Sequence, residues 1–132
     1  MTEQEKRKKP KLIAAGHICL DITPVFPEKE VDHIGELIIP GRLLPMGPAD
    51  VHTGGSVANT GLALKILGAD VSLMGKIGKD AFGELVYSAF KEYGAEQGLI
   101  QSADVNTSYS VVVAPRGVDR IFLHCSGANN EF

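Results

Sequence analysis

The stretch that decides the fold is Gly54-Gly55-Ser56-Val57-Ala58-Asn59, which opens a mostly apolar run that ends at Gly68. This pattern predicts a helix over residues 57–67, buried on most sides, with a glycine entrance where another molecule can approach the backbone closely. The N–H groups of a first helical turn lack intrahelical partners, and the amide of Asn59 both donates and accepts. Two interpretations stay open: a site for a hydroxyl-rich ligand or an anion, and a tight helix entry in which Asn59 bonds only to nearby backbone.

Strand-like and helix-like segments alternate on both sides of this stretch. Residues 11–15 (KLIAA) form a short apolar run typical of a buried strand, and residues 71–77 and 99–100 are also strand-like. Between the last two, Asp80 is a good N-cap for a second helix, whose apolar residues recur at three- and four-residue steps as far as Tyr93. Strands that alternate with helices predict an α/β fold with a parallel sheet.

A further β element is predicted beside these segments. Residues 21–53 contain five prolines in an irregular pattern, within which residues 37–39 and 51–53 are candidate short edge strands. Residues 108–114 and 120–125 flank a Pro-Arg-Gly turn, which predicts a hairpin. We expect these pieces to form a β element attached to the main sheet.

Length, composition and charge exclude several classes of protein. The chain has 132 residues, 44% of them hydrophobic and 22% charged, which suits one globular domain rather than a disordered chain. No stretch approaches the roughly 18 apolar residues that a membrane span needs. Residues 1–10 are predicted to be a flexible basic tail, whereas the net charge of the whole chain is −3. An acidic body is a poor electrostatic match for nucleic acid, so we expect neither nucleic acid nor a membrane as partner.

The cysteines and histidines predict neither a disulfide framework nor a metal centre. The two cysteines, Cys19 and Cys125, are far apart, no CxxC occurs, and the four histidines lack metal-site spacing. No apolar secretory core follows the basic start, so we expect a reducing, cytoplasmic setting. His124 falls in a predicted strand, where a surface or lid position is expected.

Two more segments contain residues with binding chemistry. In Gly16-His17-Ile18-Cys19-Leu20-Asp21 a carboxylate lies just beyond a predicted strand, where open α/β sheets bind ligands; the alternative is a loop Asp that caps its own turn. Gly75-Lys76-Ile77-Gly78 is not a phosphate loop, because its spacing from Gly68 is wrong and Ile77 stands where a serine or threonine binds magnesium. These glycines, with Gly83, are predicted to be structural.

Taken together, the motifs resemble the N-terminal part of the ribokinase-like (PfkB) carbohydrate kinases. The resemblance rests on the Gly54-Gly55-Ser56-Val57-Ala58-Asn59 signature, the glycines from 75 to 83, Gly16-x-Ile-x-x-Asp21, and the ending Ser126-Gly127-Ala128-Asn129. It covers residues 11–132, with four motifs in the family's order and spacing. Val57 and Gly61 depart from the residues usual in the signature. Cys19 and Ser56 occupy positions that carry polar or basic sugar contacts in ribokinase itself, so ribose is not implied as the substrate.

This resemblance implies a ribokinase-like α/β fold: a mostly parallel sheet flanked by helices, with a small β lid over a sugar site. The lid would include residues 37–53 and 108–125. The residues implied as contacts of a sugar or related polyol are Asp21, Gly54, Gly55 and Asn59. A homodimer through the lid is one association that the resemblance implies.

The family's catalytic Asp lies in a late Gly-Ala-Gly-Asp motif, which does not occur in this sequence. The resemblance therefore implies no catalytic, ATP-binding or metal-binding residue here, although the complete enzyme would use ATP and Mg²⁺ to phosphorylate a sugar hydroxyl. We expect residues 11–132 to be the N-terminal sugar-binding and lid portion of an ATP-dependent carbohydrate kinase, inactive alone. The alternative is a non-catalytic, truncated or degenerate family member that acts as a sugar-binding or dimerising module.

Overall fold

Residues 9–132 are described by a computed structural model, and residues 1–8 of the predicted tail lie outside the described residues. The strands are β1 (Lys11–Ala15), β2 (Cys19–Thr23), β3 (Asp50–Gly54), β4 (Asp70–Gly78), β5 (Leu99–Ser102), β6 (Tyr109–Val113) and β7 (Ile121–Cys125). Helix α1 is π-helical over Val57–Leu62 and α-helical over Ala63–Ile66, and helix α2 covers Ala81–Glu92. Short 3-10 turns lie at Ile34–Glu36, Glu96–Gly98 and Gly127–Glu131.

The predicted parallel sheet is present, with strand order β1-β4-β5. Alternate residues of β4 point to opposite faces, so that Val71, Leu73 and Ile77 enter the core while their neighbours face outward. The core is completed by residues from the helices and β2. Its buried members are Ile18, Leu20, Val57, Ala58, Val71, Leu73, Ile77, Val86, Phe90 and Ala95.

Both helices begin where the sequence predicts. The Asp80 carboxylate accepts a hydrogen bond of 2.8 Å from the Gly83 N–H, which confirms it as the N-cap of α2. The buried face of α2 is narrower than predicted, since Val86 and Phe90 are fully buried but Leu85 and Tyr93 are exposed.

Helix α1 is less buried than predicted. Val57 and Ala58 lie in the core, but Ile66 and Leu67 near its end are 66% and 82% exposed. The expectation of a helix buried on most sides is therefore wrong. In the part of the chain that the structure describes, the helix packs against β1, β3 and β4 along one face.

The second sheet is mixed, with strand order β3-β2-β6-β7. Its hairpin β6–β7 and its edge strand β3 confirm the predictions for residues 108–125 and 51–53. Strand β2 was not predicted. Residues 37–39 form no strand, because the N–H groups of Leu37 and Ile38 both bond back to the carbonyl of Ile34.

Strand β1 has the predicted bounds, but the prediction that it is buried is wrong. Within the described part of the chain it pairs with β4 alone, and Ile13 is 69% exposed. Parallel sheets are normally covered on both faces. Here the face that carries Ile13, Met74 and Ile100 is left open by the described residues.

Candidate functional site

The Asp21 carboxylate lies on the face of the second sheet that points away from the core. Its neighbours on β2, Leu20 and Ile22, pack into or against the core, so Asp21 points the other way. The register places four residues side by side across all four strands of this sheet. This polar row consists of His52 on β3, Asp21 on β2, Ser110 on β6 and His124 on β7.

Glycines 54 and 55 are required by the groups packed against them. A Cβ on Gly54 would collide with the Asp21 carboxylate. Gly55 has a φ of +88°, and a Cβ there would lie 2.6 Å from the ring and the carbonyl oxygen of His17. The structure therefore brings three of the four predicted site residues together: Asp21, Gly54 and Gly55.

The Asp21 carboxylate has little internal hydrogen bonding. The Cys19 thiol donates to Oδ1 at 3.3 Å, and Nε2 of His52 is 3.9 Å from Oδ2. Burial, and then the charge of Asp21, raise the pKa of Cys19 to about 12, so this thiol keeps its proton and remains a weak donor. The carboxylate is left with capacity to accept hydrogen bonds from a ligand.

Two imidazoles, those of His17 and His124, form a pair near this site. The rings of His17 and His124 are 5.5 Å apart between centroids and tilted by 36°. Burial, and then the neighbouring His124, lower the pKa of His17, while Asp21 opposes the shift. Nδ1 of His124 is 2.9 Å from the Ser110 hydroxyl.

The fourth predicted residue, Asn59, lies one turn into α1. Its backbone N–H donates to the Gly55 carbonyl at 2.9 Å, and its side chain is exposed. The Val57 N–H donates to the His17 carbonyl at 3.1 Å, so this amide of the helix entrance is already used within the chain. The contact of Asn59 with a ligand stays a prediction.

The glycines at the end of β4 and in α2 have the structural role that the sequence predicts. A Cβ on Gly78 would collide with the Val105 carbonyl oxygen, and one on Gly83 would collide with the Gly78 carbonyl oxygen. Thr107 joins this junction, because its hydroxyl and N–H both donate to Asp80, at 2.7 and 2.8 Å. Burial alone would raise the pKa of Asp80, but these hydrogen bonds outweigh it and the pKa is lowered.

The side chain of Asn129 bonds to the backbone of Ile18, next to the site. The Asn129 amide accepts a hydrogen bond of 3.1 Å from the Ile18 N–H and donates one of 2.9 Å to the Ile18 carbonyl. It thereby holds the turn between β1 and β2, which carries His17. The only sequence signal for this role was the Gly-Ala-Asn turn itself.

Neither a metal centre nor a membrane helix occurs in the part of the chain that the structure describes. Between residues 9 and 132, no three His, Cys, Asp or Glu side chains are grouped so that they could hold a metal ion. Over the same residues, no helix is both long and apolar enough to cross a bilayer. Cys19 and Cys125 are both free thiols.

Comparison with known proteins now decides the family. Residues 18–132 match the pfkB family of carbohydrate kinases. The chain belongs to this family. It is 31% identical over 122 residues to a ribokinase of Lactococcus lactis, covering 92% of this chain and 38% of that relative. It is 27% identical over 101 residues to a 5-dehydro-2-deoxygluconokinase of Clostridium perfringens, covering 76% and 26% respectively.

Solved structures confirm the ribokinase-like α/β fold. Halothermothrix orenii fructokinase aligns with a TM-score of 0.70 at 23% identity, covering 91% of this chain and 39% of its own. Arabidopsis thaliana ribokinase, complexed with ribose and ATP, aligns with a TM-score of 0.72 at 20% identity, covering 91% and 37%. This PfkB chain thus corresponds to between about a quarter and two fifths of the length of these relatives.

Proposed function

We propose that this chain is the sugar-binding and lid portion of an ATP-dependent carbohydrate kinase, in which the γ-phosphate of ATP passes to a sugar hydroxyl. Family membership supports the reaction class. The main evidence for a sugar site is the Asp21 carboxylate, which packs against Gly54. It is half-buried and has only weak hydrogen-bond donors within the chain. Such a carboxylate accepts hydrogen bonds from vicinal hydroxyls with good strength.

The proposed roles follow from position. Asp21 accepts from sugar hydroxyls, Gly54 and Gly55 allow the sugar to approach the backbone, and Asn59 adds an amide from α1. The second sheet acts as the lid that excludes water from the reacting groups. Within the predicted lid, residues 50–53 and 108–125 contribute strands, whereas residues 37–49 contribute none.

This sequence lacks the Gly-Ala-Gly-Asp motif, and among residues 9–132 no three His, Cys, Asp or Glu side chains are grouped so that they could hold a metal ion. We assign ATP, Mg²⁺ and the catalytic base to the rest of the kinase. There, electrostatic stabilisation and positioning supply most of the rate. The 132-residue chain alone is expected to give no turnover.

Association and setting are part of the same proposal. Edge strand β7 exposes Ile121, Phe122 and Leu123, which suits pairing with the lid of a second copy. The free thiols Cys19 and Cys125 suit a reducing cytoplasm.

Calorimetric titration with a panel of neutral sugars, sugar acids and polyols, with and without ATP, tests the proposal. We expect sugar binding without ATP binding, and about tenfold weaker sugar binding in Asp21→Ala, equivalent to about 1.4 kcal/mol. Asp32→Ala removes an exposed carboxylate away from the polar row and serves as the matched control. ATP-dependent phosphorylation by the chain alone contradicts the assignment of the catalytic groups. No sugar binding, together with stable dimers, favours a dimerising module instead.

A further inference from the structure

His124 occupies the end of the polar row, on the same face of the sheet as Asp21. It lies on edge strand β7, and its side chain is exposed. Its register partner Ser110 is itself the register partner of Asp21. An exposed imidazole and an exposed part of a carboxylate therefore face the same space, on strands separated only by β6.

The orientation of the His124 ring is set from inside the protein. The Ser110 side chain is buried, and its hydroxyl is 2.9 Å from Nδ1 of His124. Among the described residues, Nε2 of His124 has no hydrogen-bond partner. Because Nδ1 is held by a buried hydroxyl and the side chain is exposed, Nε2 lies on the side of the ring away from Ser110.

The hydrogen bond between Ser110 and His124 can take two forms, because either the hydroxyl or an Nδ1–H can donate. His17 lies beside His124, with the two ring planes tilted by 36°. Asp21 is the charged group that acts on this pair, and it opposes the lowering of the His17 pKa. A neutral imidazole whose Nδ1 accepts from a hydroxyl carries its proton on Nε2.

We propose that His124 is a specificity-determining residue of the sugar site, whose Nε2–H donates to an oxygen of the bound sugar. This inference rests on the proposed function. Asp21 supplies an acceptor and His124 a donor, so the site selects a sugar that presents a hydroxyl to the first and an accepting oxygen, hydroxyl or carbonyl, to the second. Ser110 acts through His124 as a positioning residue.

Substitutions that imitate one ring nitrogen at a time test the proposal. A glutamine amide reaches the place of Nε2, and an asparagine amide reaches the place of Nδ1. For the best-bound sugar of the panel, we expect His124→Gln to bind within about threefold of the unmodified chain, and His124→Asn and His124→Phe to bind at least about tenfold more weakly. His33→Gln, an exposed histidine outside the polar row, is the matched control.

If His124 has a purely structural role, His124→Asn should bind the sugar more tightly than His124→Gln, because only asparagine keeps the bond to Ser110. That order, or unchanged affinity in His124→Phe, overturns the inference and leaves the proposed function standing. Nitrogen-15 NMR of the imidazoles gives a second readout that needs no variant: we expect the Nε2–H form of His124 and a shift of its Nε2 signal on sugar addition. The Nδ1–H form overturns the inference. Absence of sugar binding by the unmodified chain contradicts the proposed function, and this inference with it.

Discussion

At the scale of single residues, Gly54 and Asp21 are mutually dependent. Gly54 has an ordinary φ, so an alanine there meets no backbone strain, only the carboxylate that its Cβ would strike. Gly54→Ala is therefore expected to displace Asp21 and weaken sugar binding by about tenfold or more, or about 1.4 kcal/mol, by calorimetry. Gly35→Ala is the control, because its Cβ would meet only the exposed His33 side chain, at 3.3 Å. Equal sugar affinity in both variants contradicts the proposed contact.

The two thiols should differ strongly in reactivity. Cys19 is buried and its pKa is raised to about 12, so at pH 8 only about one molecule in 10⁴ is thiolate there. Cys125 is only partly buried. With iodoacetamide at pH 8, mass spectrometry should show Cys19 alkylated at least about 100-fold more slowly than Cys125. The two alkylation rates should converge in denaturant. Equal rates in the folded chain would contradict the buried environment described for Cys19.

Some residues of the site could be predicted from the sequence and others could not. Asp21, Gly54 and Gly55 lie in motifs that combine glycine with polar groups, so local chemistry points to them. Ser110 and His124 carry no such signal, because their importance depends on strand register across β2, β6 and β7. Register between strands far apart in sequence is set by tertiary pairing.

At the scale of elements, the sequence predicts a helix or strand well when its hydrogen bonds are local or when a glycine or a capping residue marks its end. The bounds of β1, the start of α1 and the Asp80 cap all follow from such signals. Strand β2 was missed because it is only five residues long, and the alternation of apolar and polar residues covers just Leu20–Thr23. Residues 37–39 look like a strand by composition, but the N–H groups of Leu37 and Ile38 bond to the preceding turn at Ile34.

Asn129 connects two elements that are far apart in sequence, the turn after β7 and the turn before β2. Asn129→Ala leaves the N–H and carbonyl of fully buried Ile18 without their partner, which we expect to cost about 1–3 kcal/mol. Thermal melting should show a decrease of about 5 °C or more, together with faster hydrogen exchange at the Ile18 amide. Asn130→Ala, an exposed neighbour, is the control. Equal melting temperatures for the two variants would contradict the bridging role.

At the scale of the whole molecule, the parallel sheet is only half covered. The helices pack on the face of β4 that carries Val71 and Leu73, while the opposite face exposes Ile13, Met74 and Ile100. Among residues 9–132, strand β1 also has one edge without a partner strand. Parallel sheets are normally buried on both faces. The chain covers 38% of the length of the Lactococcus lactis ribokinase, and a sheet with one open face and one open edge fits such partial coverage.

This open face predicts how the 132-residue chain behaves alone. An exposed apolar face beside an unpaired strand edge favours association, so sedimentation velocity should show a weight-average mass that rises with concentration. Ile13→Lys places a charge in the middle of β1 on that face and should shift the distribution toward monomer. Ile38→Lys adds the same charge at an exposed position outside the sheets and should leave association unchanged. A monomer at all concentrations with a cooperative, high melting transition would contradict this account, because it would show that the open face needs no partner.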